Sequence, residues 1–201
     1  MAVVCACIGI GAYVERRQET EQLQSEGIIF IDEHMQDVPL GDALPEDDQY
    51  TILAEVLVNV PQPILDKMYA DGWGIAITDE NLSDKYFNGI YRSVMAVTDS
   101  RIKTIWIANT ERAIRNATIH EIGHYIEYSK AYPNSSQEFQ AIYEAEKDKF
   151  VVVGGSARQA RSSDLEYFAE AFQETILHPD SMLENTPMTY QYMINLINSY
   201  Q

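Results

Sequence analysis

Five residues constrain this chain more than any other stretch: HEIGH, positions 120–124, set inside NATIHEIGHYIEYSK. Residues at i and i+4 of a helix stand one above the other, so His120 and His124 share a face. That spacing lets two imidazoles reach a single zinc ion, with Glu121 beside them to handle a proton. A catalytic zinc takes three protein ligands and keeps a fourth position open. The fold must therefore bring a third donor to this helix face from elsewhere in the chain. The best source is DLEYFAEAFQE, positions 164–174, where Glu166 and Glu170 lie one helical turn apart on a common face. Phe168 and Phe172, also four apart, seat this helix in the core. Acids on such a buried helix need a partner, and a metal or its histidines would serve.

The rest of the chain suits one compact domain. Its 201 residues can bury roughly two thirds of their unfolded surface, so no disulfide or metal staple is needed merely to fold. Hydrophobic residues at 46% and charged residues at 22% exclude wholesale disorder, collagen and coiled coil. The formal net charge is −17, which repels a phosphate backbone and excludes nucleic acid as a favoured partner. It also disfavours an anionic membrane surface and acidic substrates. Both cysteines, Cys5 and Cys7, lie near the first residue, so the body of the chain has no thiol chemistry.

Residues 1–14 open with an apolar run too short to span a bilayer, for which about 20 residues are needed. They are read as a signal-peptide remnant or N-terminal anchor, and VCAC loosely resembles a lipoprotein box. Secretion or cell-envelope association is expected. Residues 15–26 are polar helix formers, a lead-in helix, and 27–201 form the domain proper. Strands are predicted at 28–31, 74–78, 93–97 and 104–109, and early helices at 50–60 and 61–72. Amphipathic helices follow at about 111–130, 135–149, 164–177 and 187–200. The fold class is α+β: a small sheet-plus-helix N-terminal lobe, a helical C-terminal lobe, and the active-site helix between them.

HEIGH followed by LEYFAEAF resembles the catalytic domain of anthrax lethal factor and the related secreted Pro-Pro endopeptidases. The C-terminal PMTYQYMINLI, 187–197, is similar to that family's closing helix. The resemblance implies a zincin-like fold and a Zn2+-dependent metallo-endopeptidase. It implies His120, His124 and Glu166 as metal ligands, Glu121 as general base, and Glu170 as an acid supporting the site. It also implies that TIWIAN, 104–109, forms the cleft edge and pairs with an extended substrate. One position departs from the pattern. Where the family carries a Tyr seven residues before the ligand Glu, this chain has Gln159, with Arg158 and Arg161 as neighbouring candidates for the oxyanion donor.

The expected partner is a protein or peptide, proline-rich by resemblance, and the expected state is a monomer without a membrane span. The loop 84–98 would grip the substrate, with Tyr86, Phe87 and Tyr91 as its large contacts. Two other classes fit the same motif. One is a degenerate zinc-binding adhesin or interaction module, against which Glu121 argues, since a structural zinc gains nothing from an acid beside an open position. The other is a zinc hydrolase acting on cell-wall peptide.

Overall fold

The structure, a computed structural model, describes the backbone of residues 28–30 and residues 41–89, 91, 93–154 and 157–201. The expected leader and lead-in helix lie outside the described residues. The first lobe contains β1 (Ile28–Phe30), α1 (Glu46–Leu57), α2 (Gln62–Ala70), β2 (Gly74–Thr78), α3 (Leu82–Phe87), β3 (Ala96–Asp99) and β4 (Thr104–Ala108). α1 starts earlier than its apolar pattern suggests. Pro45 sets an extended entry, and Glu46, Asp47 and Asp48 then place negative charge on the positive end of the helix dipole. α2 stops at Gly72, whose φ of 81° suits glycine. There Gly72 N donates to Tyr69 O (3.0 Å) and Trp73 N to Met68 O (3.1 Å), so the last carbonyls are satisfied before β2 begins.

The sheet order is β1-β3-β4-β2, with β4 antiparallel to β3 and parallel to β2. β4 is therefore an interior strand, and its backbone groups are taken on both sides. This corrects the expectation that TIWIAN lines the cleft as a free edge; among the described residues the edges are β1 and β2. Chain order had placed the strand next to the site helix, but pairing partners are non-local and buried it. β3 also lies later than expected, because it runs only where Val97, Thr98 and Asp99 oppose Trp106, Ile105 and Thr104.

The segment expected to grip substrate is largely committed to the fold. Asn81 caps α3 by accepting from Ser83 N at 2.9 Å, a short-range cap that starts a helix inside the anticipated loop. Phe87 and Tyr91 are buried, with ring centroids 5.0 Å apart. They are core residues and not substrate contacts. Tyr86 packs half-buried against the same core.

α4 (Glu111–Ser129) follows, capped by Thr110 Oγ1 on Ala113 N at 3.2 Å. It packs on β3 and β4 on one side and on α6 (Asp164–Leu177) on the other. Residues 117–127 are buried throughout. A helix enclosed on all sides loses the polar stripe of a surface helix. The second lobe adds α5 (Gln137–Glu146), α7 (Pro179–Asn185) and α8 (Pro187–Asn198) around α6. Phe139, Phe150, Tyr167 and Phe168 interlock at its centre, with Phe139–Phe168 centroids 5.2 Å apart and Phe150–Tyr167 centroids 4.8 Å apart. Glu146 at the end of α5 accepts from Thr189 N (2.9 Å) and Met188 N (3.1 Å), placing a buried carboxylate on the start of α8. Among the described residues no helix is long and apolar enough to cross a membrane.

Candidate metal centre

The mid-turns of α4 and the first turns of α6 meet face to face. Ser163 caps α6 by accepting from Glu166 N at 3.1 Å. Ser163 and Glu166 have the spacing of a reciprocal capping box. Here the Glu166 carboxylate points across to α4 instead. Its Oε2 lies 3.4 Å from His120 Nε2, and its Oε1 lies 3.7 Å from His124 Nε2. The two Nε2 atoms are 3.1 Å apart. One donor atom from each of His120, His124 and Glu166 falls within 4.8 Å of the others, and all three residues are buried.

The outer ring nitrogens are already engaged. His120 Nδ1 meets Glu170 Oε2 at 2.7 Å, and His124 Nδ1 meets Glu127 Oε2 at 2.6 Å. With both acids ionised, as beside a bound cation, each Nδ1 carries the hydrogen and each Nε2 is left free to turn a lone pair inward. In that state two lone pairs and a carboxylate are aimed at one point, where a cation would be held by all three. Two imidazoles and one carboxylate are also a donor set that zinc takes. The residues present fit a divalent metal.

Glu121 is fully buried beside this point. Thr98 Oγ1, on β3, donates to Glu121 Oε2, whereas Glu121 Oε1 has no partner among the described residues. Gln159 Nε2 donates to Glu166 Oε2 at 2.9 Å, so the residue that departs from the family pattern does reach the site. Arg161 faces elsewhere, donating to Phe150 O at 2.8 Å, and Arg158 is exposed.

Electrostatics without a metal are those of crowded, dry acids. Burial pushes Glu121 up to about 8, against the opposing pull of His120 and Thr98. Burial also raises Glu166, and it raises Glu127 well above the carboxylate range. Burial would lower His120, but Glu166 and Glu170 outweigh it and hold the imidazole up at about 10. His124 goes the other way, far below its ordinary value, through burial and the neighbouring His120. A bound dication would be the largest local charge and would invert this pattern, favouring ionised carboxylates and neutral imidazoles.

The sequence pattern of the family described as anthrax toxin lethal factor, N- and C-terminal domain, matches residues 46–196. The chain belongs to the anthrax lethal factor family. The fold is also found among solved structures. A Pro-Pro endopeptidase from Paenibacillus alvei superposes with a TM-score of 0.59 at 18% identity, over 79% of this chain and 95% of that one. At that identity the likeness speaks for the fold. No curated protein sequence matches this lethal factor family member.

All five site residues expected from the sequence, His120, Glu121, His124, Glu166 and Glu170, come together. Two partners were missed. Glu127 stands three residues after His124, on the same helix face, and its signal was an acid within an otherwise buried run. Thr98 had no local signal, because it reaches Glu121 only through the packing of β3 on α4.

Proposed function

We propose that this lethal factor family member is a zinc-dependent metallo-endopeptidase acting on extended peptide substrates. The observation that carries the reading is the convergence of His120, His124 and Glu166 beside a buried, half-partnered Glu121. Family membership and the fold shared with a peptidase support it.

Zinc held by His120, His124 and Glu166 would supply a Lewis acid and a water made acidic enough to ionise near neutral pH, from about 16 toward about 7. The chain's own residues supply the rest. Thr98 holds one oxygen of Glu121 and leaves Oε1 to accept the proton of the attacking water and return it to the leaving amine. Glu170 keeps the His120 ring turned with Nε2 inward. Gln159 restrains Glu166.

The Pro-Pro specificity of the Paenibacillus alvei relative makes proline-rich peptides the first substrates to try. The full chain would be incubated with a peptide library containing Pro-Pro sequences and with cell-wall peptide, with and without chelator, and the products read by mass spectrometry. Chelator-sensitive cleavage of protein peptides is expected. Cleavage of cell-wall peptide alone, or no cleavage by zinc-loaded protein, would overturn the reading.

A further inference from the structure

Glu127 is an acidic side chain with no access to solvent, an unusual residue type for where it sits. Its side chain is 0% exposed, as is that of His124, the residue it contacts. Its Oε2 lies 2.6 Å from His124 Nδ1, and its Oε1 is buried with no partner among the described residues. Removing an ionised carboxylate from water is expensive unless a positive charge compensates. The backbone offers Glu127 no such help, since it lies deep in α4, away from the helix start. Among the described residues, the one polar group its side chain hydrogen-bonds is His124.

The arrangement is not duplicated by its counterpart on the other ring. Glu170, which engages His120 Nδ1, is 15% exposed and takes a further contact from Gln173 Nε2 at 3.4 Å. Glu170 therefore keeps an alternative source of stabilisation, and Glu127 does not. A hydrophobic side chain at 127 would fill the same space without the desolvation cost. A carboxylate there acts only through the imidazole.

We infer that Glu127 is the positioning residue for His124: it fixes the Nδ1–H tautomer, aims Nε2 at the centre, and adds a buried negative charge that strengthens metal binding. The inference rests on the metalloenzyme reading above. Oriented carboxylates behind a ligand histidine raise its basicity, and their loss commonly costs about 10- to 100-fold in metal affinity or activity. With Glu127 in this role, two helices supply four acids around one pair of imidazoles: Glu121 and Glu127 from α4, Glu166 and Glu170 from α6. That charge balance favours a dication over a monovalent ion.

Zinc affinity of the purified full chain, measured by competition with a chromophoric chelator, tests the role for wild type, Glu127→Gln and Glu127→Leu. Glu127→Gln keeps size and one acceptor but removes the charge. It should bind zinc about 10- to 100-fold more weakly while the metal-free protein melts near wild type, and Glu127→Leu should bind more weakly still. A merely structural residue would show the reverse, a lowered melting temperature and unchanged zinc affinity. Tight zinc binding by wild type with affinity within about twofold in Glu127→Gln would overturn the role alone. Wild type that takes up no zinc would overturn the metalloenzyme reading and the role with it. Should neither variant fold, nitrogen NMR of the zinc-loaded wild type decides: His124 should carry its hydrogen on Nδ1 and its metal on Nε2, and a bare Nδ1 would overturn the inference.

Discussion

A Cβ added to Gly123 would lie 2.8 Å from the Ala169 Cα and 3.1 Å from the Ala169 carbonyl oxygen. The second residue of HEIGH that is neither ligand nor base is thus the contact that lets α4 and α6 touch, backbone on backbone. That closeness is what allows Glu166 to reach His120 and His124.

Gly123→Ala should therefore part the two helices. Forced overpacking typically costs about 1–3 kcal/mol, against a gain of about 1 kcal/mol from better helix propensity. The expected result is a lower melting temperature together with weaker zinc binding, read by thermal unfolding and chelator competition. A variant as stable and as tight as wild type would show that the helices can move apart freely.

Glu121→Gln should keep stoichiometric zinc and lose about 100- to 10,000-fold in turnover, because it removes the proton acceptor and no ligand. Metal content by atomic emission and kcat on a fluorogenic peptide check the two halves separately. A loss below about tenfold would assign the proton to another group.

Glu166→Ala removes one of three proposed ligands and should empty the site at sub-micromolar zinc. Glu170→Ala should act more mildly, about 10- to 100-fold in affinity. Full zinc and full activity in Glu166→Ala would require a different third donor.

Gln159 donates to Glu166 at 2.9 Å, so its first effect falls on the metal site as well as on the transition state. Gln159→Ala should weaken zinc binding by about tenfold, the scale of one hydrogen bond to a charged group. Gln159→Glu should be worse, because it sets two carboxylates side by side. Zinc titration of both variants is the measurement, and unchanged affinity would return Gln159 to a role in turnover only.

Zinc removal should destabilise the whole protein and not only silence it. Buried His120, His124, Glu121, Glu127 and Glu166 crowd one site, and a bound dication would offset the repulsion among their carboxylates. Zinc at about a thousand times its Kd adds about 4 kcal/mol to the native state, or roughly 10 °C in Tm for a chain of this size. Melting curves with zinc and with chelator should differ by that order. Coincident curves would mean that the cluster does not hold the metal.

Local patterns carried much of this in the sequence. The i, i+4 spacing put His120 above His124, and the same spacing put Glu166 above Glu170 on a helix whose limits, 164 and 177, follow from the Ser163 cap and the Pro179 stop. These are properties of a few adjacent residues, and helix geometry fixes them wherever the helix ends up. Tertiary structure decided what depends on a neighbour distant in the chain. Strand pairing placed β4 inside the sheet, because an edge is defined by the absence of a partner that no local window contains. Packing of β3 on α4 chose Thr98 for Glu121, and the loop before α6 chose Gln159 for Glu166. Burial turned Glu127 from one more acid on a helix into a dry partner for His124. Gly123 could be read in HEIGH as any permissive spacer, and only the approach of Ala169 made its missing side chain a requirement.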